Sequence, residues 1–428
     1  MKKIHWYLVG LAAIGAVALV AVGTAGGAHK STGVSGSVSI IDKWTGDEQK
    51  SFEAVLAPFK KANPGVKIKY TGAGDNVPQI VSTAVQGGNP PDIAAIAQPG
   101  LMTQFADQGK LKPLDFVKSQ AVANFGQSTV DTGSVKGTFY GLFWKANNKS
   151  TIWYNVPAFK DAGVESPATW DDLVSDADTI KQSGLPAYSI GGASGWTLTD
   201  LFENIYLRTA GPEKYDQLSK HEIKWTDPSV KEALTEMGKV FKDSDNIAGG
   251  TSGALQTDFE TSVGNVFAPK PKAAMIMEGD FVPGVPKTTL KPETGYNFFK
   301  FPSINDSPDS VVASGNFIVI FRDTPAVRAF LKYLVDPKSA EIWVARGGFG
   351  SPNKKVDPST YTDPLLRETS EAMTGSENLR FDLSDLQPSA FGATDGQGLW
   401  KLFQDFLKNP NDVNGIAQNM EKAASAAY

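Results

Sequence analysis

The sequence predicts an α/β protein organised in two lobes. Short apolar runs of strand character alternate with stretches in which apolar residues recur at helical spacing, as far as Phe321. Beyond that point the pattern turns mostly helical. At 428 residues the chain exceeds the roughly 100–200 residues of one domain. Strands alternating with helices imply a largely parallel sheet covered on both faces.

The elements follow in order. Residues 38–41 read as a buried strand, and after Trp44-Thr45-Gly46 the residues Phe52, Val55, Leu56 and Phe59 mark a helix that Thr45 or Asp47 would cap. Val66, Ile68 and Tyr70 alternate as a strand, 80–85 has helical spacing, and 92–96 is an apolar run after Pro90-Pro91. Further strands are expected over 138–143, 151–154, 187–190, 272–277 and 311–321. Helices are expected over 170–181, 196–207 and 229–241, then 324–335, 337–344, 363–373, 398–407 and 413–424. Clusters of Gly, Pro and Ser at 249–253 and 268–272 read as loops.

Composition narrows the function. The formal charge is −5 with no basic stripe interleaved by aromatics, so nucleic acid is not an expected partner. The absence of cysteine excludes disulfides, thiolate metal sites, cysteine nucleophiles and a lipid-bearing N-terminal cysteine. Lys2 and Lys3, a nearly unbroken apolar run over 7–22 and small residues to Ala28 describe a signal peptide over 1–28, with an uncleaved anchor as the alternative. Either way the body is expected outside the cytoplasmic membrane. Residues 29–37, rich in Ser and Gly, read as a flexible spacer.

An exported α/β protein raises the question of hydrolysis. Beyond the leader and spacer the one histidine is His221, in an exposed-looking polar stretch, which leaves no multi-histidine zinc site and a single candidate base for a serine triad. The chain has no G-x-S-x-G elbow, Walker A loop, H-E-x-x-H motif or EF-hand loop. Paired carboxylates stay open as a glycosidase signature, because two acids at a suitable separation are all that chemistry needs. Asp200 and Glu203, three apart on a helix, share a face; a solvated face and sugar-hydroxyl binding are the competing readings.

From Trp44 onward a series of segments stands in a recognisable order. It runs through Trp44-Thr45-Gly46-Asp47-Glu48, Asn63-Pro64-Gly65-Val66, Gly87-Gly88-Asn89-Pro90-Pro91-Asp92-Ile93 and Gly109-Lys110-Leu111-Lys112-Pro113-Leu114-Asp115. Trp153-Tyr154-Asn155, Pro167-Ala168-Thr169-Trp170-Asp171-Asp172-Leu173, Met275-Ile276-Met277-Glu278-Gly279-Asp280-Phe281 and Gly350-Ser351-Pro352-Asn353 continue it. In order and spacing this resembles the extracellular solute-binding proteins of carbohydrate ABC importers, the maltose-binding group, over residues 38–425. Gly195-Trp196-Thr197, Thr199-Asp200 and Gly211-Pro212-Glu213-Lys214-Tyr215-Asp216 look most like its α-glucoside receptors. The missing lipid-attachment cysteine departs from Gram-positive members.

The resemblance implies a type II periplasmic-binding-protein clamp: two discontinuous α/β lobes joined by a hinge, with sugar held between them. Lobe one would comprise 38–145 plus 303–347, and lobe two 146–302 plus 348–428. It further implies a monomer, with a small saccharide and the permease subunits of an ABC importer as partners. No catalytic residue, metal or cofactor is expected. A glycosidase using Asp200, Glu203 or Asp280 competes with this, as does a same-fold receptor for a polyamine, metal chelate or phosphorylated compound; Arg208, Arg322 and Arg328 are scattered, which gives the phosphate option little.

A saccharide asks for flat rings against its C–H faces and planar polar groups at its hydroxyls. Trp44 follows the first strand, either on the ligand or packed under the first helix. Asp75 is a hydroxyl acceptor or a helix cap, and Gln98 holds the analogous strand-end position. Lys145 resembles a lysine of α-glucoside receptors near the first lobe crossing, with a solvated lysine as the alternative. Trp196 and Asp200 are the leading pair, core packing being the competing role for the indole. Asp280 and Phe281 resemble the loop that sets a ring under the sugar; Ser314 and Asn316 lie at the return crossing; Phe349 and Phe391 complete the aromatic candidates.

Overall fold

The structure is a computed structural model and describes residues 33–285 and 288–428. The signal-peptide expectation lies outside those residues, as does the first part of the spacer. In chain order the strands are β1 (Gly36–Asp42), β2 (Val66–Gly72), β3 (Ile93–Ile96), the small hairpin of β4 (Ser134–Val135) and β5 (Thr138–Phe139), and β6 (Gly141–Asn148). They continue with β7 (Thr151–Asn155), β8 (Met275–Met277), β9 (Tyr296–Lys300), β10 (Val311–Ile320) and β11 (Leu379–Phe381). The spacer ends earlier than the sequence suggests, because the Gly36 N–H donates to Gly65 O at 3.1 Å and β1 pairs with β2 from that residue on.

A six-stranded sheet runs β11-β10-β3-β1-β2, with β6 also paired to β10. β1 is parallel to β2 and β3, whereas β10 is antiparallel to β3 and β6. Its faces are set by alternation: Ile93, Ala95, Ile318 and Ile320 enter one core, and Ala94, Ile96, Phe317 and Val319 enter the core on the other face. That period of two requires helices on both sides. Helices Gly46–Ala62, Pro325–Val335 and Pro337–Val344 cover the first face; Val77–Gln86 and Pro99–Asp107 cover the second.

A second sheet runs β8-β7-β9. It is antiparallel throughout, contrary to the parallel pairing expected from the alternation of elements. Both neighbours of β7 arrive only after the long helical excursion from Val156 to Val266, so no βαβ crossover links them. Alternation again serves two cores: Ile152, Met275 and Phe299 on one side, Trp153, Ile276 and Phe298 on the other. The helix Trp196–Ser219 extends past the expected end at Leu207 and bends at Gly211 (φ 80°) and Pro212. The expected strand at 187–190 is reduced to bridges at Tyr188, and the loop at 249–253 contains the short helix Gly250–Ala254.

Within the first sheet β6 and β10 run side by side, with a bulge between Asn316 and Phe317. Gly315 makes their close approach possible, since a Cβ there would lie 2.0 Å from Lys145 O. Among the described residues no helix is long and apolar enough to cross a membrane. His221 is not the exposed residue expected: it lies half-buried, 3.2 Å from Glu421 and against the Tyr428 ring.

Candidate functional site

The parallel strands β1, β2 and β3 deliver their carboxyl ends to one place, as open α/β sheets do. Lys43 to Glu48 follow β1, Gly74 and Asp75 follow β2, and Ala97 and Gln98 follow β3; all line a cavity of about 210 Å³. Its floor is the β6–β10 ribbon, through Lys145, Asn147, Ser314, Gly315 and Asn316. The facing wall carries Trp196, Thr199, Asp200, Phe259, Glu260, Phe281, Asp382, Ser384, Asp385 and Trp400.

Trp196 is placed by backbone geometry. Gly195 has φ 97°, and a Cβ on it would meet Trp400 O at 2.6 Å, so only glycine lets the helix begin with the indole turned to the cavity. The ring packs against Phe259 (5.0 Å) and Phe281 (6.3 Å), and its Nε1–H donates to Asp75 Oδ2 at 3.1 Å across the cavity. Thr45 makes the parallel reach. Instead of capping its helix, its hydroxyl donates to Glu260 Oε1 at 3.4 Å. Asp75 likewise caps nothing, being the acceptor of that indole N–H.

Behind the rings lies a buried ionic centre. Lys149 Nζ stands 2.7 Å from Asp200 Oδ1 and 2.6 Å from Asp382 Oδ2. Burial opposes the lysine charge, but the fields of Asp200 and Asp382 overcome it and hold the ammonium well above its ordinary range. Burial, reinforced by Asp382, pushes Asp200 up to about 7 against the pull of Lys149. Asp382 is also desolvated, yet Lys149, the Asp385 N–H and the Ser384 hydroxyl hold it below its ordinary value, so it is the ionised partner. Glu278 is 2 % exposed, and burial pushes its carboxyl well above the usual range beside Asp200. Asp200 Oδ2 and both Glu278 oxygens are buried without a hydrogen-bond partner among the described residues, and a proton on Glu278 directed to Asp200 pairs one oxygen of each acid. Asp200, Glu203 and Asp382 could between them surround a metal ion, but the Lys149 ammonium already supplies the positive charge to Asp200 and Asp382.

Glu203 accepts the N–H groups of Leu383 and Ser384 at 2.8 and 2.9 Å and fixes the turn that carries Asp382 and Asp385. Lys145 lines the floor but spends its charge on Glu48 at 2.6 Å and lies 5.0 Å over the Trp343 ring. Gln98, Ser314 and Asn316 line the cavity with side chains that make no hydrogen bond among the described residues, and so remain free for a ligand.

The structure brings together Trp44, Asp75, Gln98, Lys145, Trp196, Asp200, Phe281, Ser314 and Asn316 on the cavity wall. Trp44 is there with no solvent exposure, its ring engaged by Phe52 and Trp343 at 4.8 Å each, which makes packing its role. Asp280 does not line the cavity: it is buried, accepts from Asn147 at 3.0 Å, and burial pushes it up to about 6. Phe349 and Phe391 do not reach the cavity either. Phe349 packs edge-on to Trp144 and Phe391 edge-on to Trp225, each at most 2 % exposed, because both rings find complete apolar surroundings in the cores. Sequence reasoning missed Lys43, Lys149, Phe259, Glu260, Asp382, Asp385 and Trp400. The polar run Asn147-Asn148-Lys149-Ser150 between two apolar strands was the available signal for Lys149.

Comparison with known proteins agrees with this architecture. The family model described as bacterial extracellular solute-binding protein matches residues 43–341. The alpha-glucosides-binding periplasmic protein AglE of Rhizobium meliloti is 33% identical over 402 residues, 90% of this chain and 86% of that protein. The osmoprotective compounds-binding protein GgtB of Synechocystis is 32% identical over 362 residues, 83% of this chain and 85% of its own. A solved chitin oligosaccharide binding protein shares the fold with a TM-score of 0.79 at 21% identity, over 92% of this chain and 99% of that one. With the cavity at the strand ends and these matches along most of its length, the chain belongs to the bacterial extracellular solute-binding protein family.

Proposed function

We propose that this protein is the extracytoplasmic receptor of a carbohydrate ABC importer, closing two lobes over an oligosaccharide or α-glucoside and presenting it to the permease subunits as a monomer. The observation that carries this is the composition of one cavity. Trp196, Phe259 and Phe281 offer ring faces, while Gln98, Ser314 and Asn316 offer free polar groups opposite them. The binding specificities in the names of AglE and GgtB support an α-glucoside or a small osmolyte of that kind.

The proposed lobes are 38–145 with 303–347, and 146–302 with 348–428. Core membership supports moving two of these edges: Ile304 and Val312 pack with the second sheet, and Phe349 with the first. The return crossing is then within β10 and the last one near Gly350, which bridges to Ala146.

A glycosidase needs an acid and a base that open on the substrate. Asp200 is engaged by Lys149 and Glu278, Glu203 by the turn at 383–384, and Asp280 by Asn147, which favours binding over hydrolysis. A thermal-shift screen against α-linked saccharides tests the proposal: a ligand at about 100 times its dissociation constant adds roughly 2.7 kcal/mol, or about 3 °C for a folded body of this size. A panel that leaves the melting temperature unmoved, or release of monosaccharide by the purified protein, would overturn it.

A further inference from the structure

The cavity wall holds one acid that none of these contacts engages. Asp385 is 6 % exposed and lines the cavity, and its carboxyl makes no hydrogen bond or ion pair among the described residues. Only its backbone N–H is used, donating to Asp382 Oδ1 at 3.0 Å. Its oxygens are not among the fully buried unpaired atoms and so open on the cavity, and a ligand that seals the cavity must supply a partner in place of solvent. The surroundings say of what charge. Lys145 is matched by Glu48, and Lys149 by Asp200 and Asp382. Lys43, 5.1 Å over the Trp196 ring, lines the same cavity as Asp75, Glu260 and Asp385.

We propose that Asp385 gives the cleft its charge selectivity, accepting a hydroxyl or ammonium group of the saccharide and refusing a carboxylate or phosphate in its place. Burial pushes the Asp385 carboxyl well above the usual range, and Asp382 and Asp200 push in the same direction against Lys149 and Lys43. The carboxyl, open on the cavity and matched by no cation, can accept from a hydroxyl of a ligand that enters. An ammonium in the same place lets it ionise as a paired acid. An incoming anion meets the acids of this wall, and among the described residues that line the cavity Lys43 is the one lysine not ion-paired to a carboxylate.

The inference rests on the saccharide reading of the cleft and adds the charge class of its ligand. The test uses the full-length chain and titration calorimetry with maltose and trehalose. Each is compared with derivatives in which one primary hydroxyl at a time is replaced by an amine or oxidised to a carboxylate, a change of charge at nearly constant size. The sugar that binds is expected to lose at least about a hundredfold in affinity as its carboxylate and to stay within about threefold as its amine. In Asp385→Asn the parent sugar weakens by about tenfold, and the handicap of the carboxylate shrinks by at least tenfold. Asp385→Ser, which vacates the space, changes the ratio in the same direction and covers the case in which the amide disturbs the turn. Carboxylates that bind within threefold of the parent, amines that lose as much as carboxylates, or an unchanged ratio in both variants would overturn the inference while leaving the receptor reading in place. If neither parent sugar nor any derivative binds, the receptor reading fails and takes this inference with it.

Discussion

Lys149→Met is the most informative single change. The substitution keeps the length of the side chain and removes one buried ammonium that two carboxylates share at 2.6 and 2.7 Å. Taking one member from a buried ion pair costs about 3–5 kcal/mol, because the charge left behind is desolvated and unopposed. With an unfolding entropy of about 0.8 kcal/mol/K for this body, the melting temperature falls by about 4–6 °C at pH 8. The pH dependence follows from the acids. Lys149 has a folded pKa above its ordinary value, so its own contribution is complete below the unfolded pKa and constant through neutrality. Asp200 is raised to about 7, so the fold favours its protonated form, and the stability this brings is full below the unfolded value of 3.8 and lost as pH rises through 7. Without the lysine, both acids take up protons more readily. The deficit of the variant therefore shrinks between pH 8 and pH 5. Thermal unfolding followed by circular dichroism at the two pH values measures it, and Lys149→Met/Asp382→Asn, which removes both charges, recovers most of the loss. A deficit under 1 kcal/mol at pH 8, or one equal at both pH values, would refute the reasoning.

Three further outcomes are expected. Trp196→Ala abolishes detectable saccharide binding by calorimetry with an unchanged far-ultraviolet spectrum, since the indole sits in a small cluster with Ala393 and Trp400 rather than in a main core. Gly195→Ala lowers stability by about 1–3 kcal/mol and weakens binding, because a left-handed residue and a contact at 2.6 Å with Trp400 O displace the indole; an urea titration reads the first effect. Glu278→Gln keeps a donor towards Asp200 but removes the exchangeable proton, so the dependence of the melting temperature on pH flattens between 5 and 7 relative to the parent chain.

Much of the fold was legible because it is written locally. The alternation of Val38 and Ile40, and of Val66, Ile68 and Tyr70, marks strands whatever they pair with, and the spacing from Phe52 to Phe59 marks a helix. Pairing direction was not legible for β7, since its neighbours lie far along the chain. The site divides in the same way. Residues just past strand ends, such as Asp75 and Gln98, line the cavity as their position implies, and so does Trp196 after its glycine-rich approach. Asp382 meets Lys149 across 233 positions, and no local period encodes such a meeting. Phe349 and Phe391 failed for another reason: an aromatic ring beside glycine or proline is equally at home in a core, and the partners Trp144 and Trp225 that decide the matter are remote.

The paired passage of β6 and β10 has a mechanical consequence. Two chains bonded to each other from Asn148–Ala313 to Gly141–Val319 behave as a leaf spring: the ribbon bends readily across its flat face and resists shear and twist. The bulge beside Asn316 and the bare backbone at Gly315 set its softest point in the floor of the cavity. With the lobe boundaries proposed above, a group settling on that floor would press where the two lobes join.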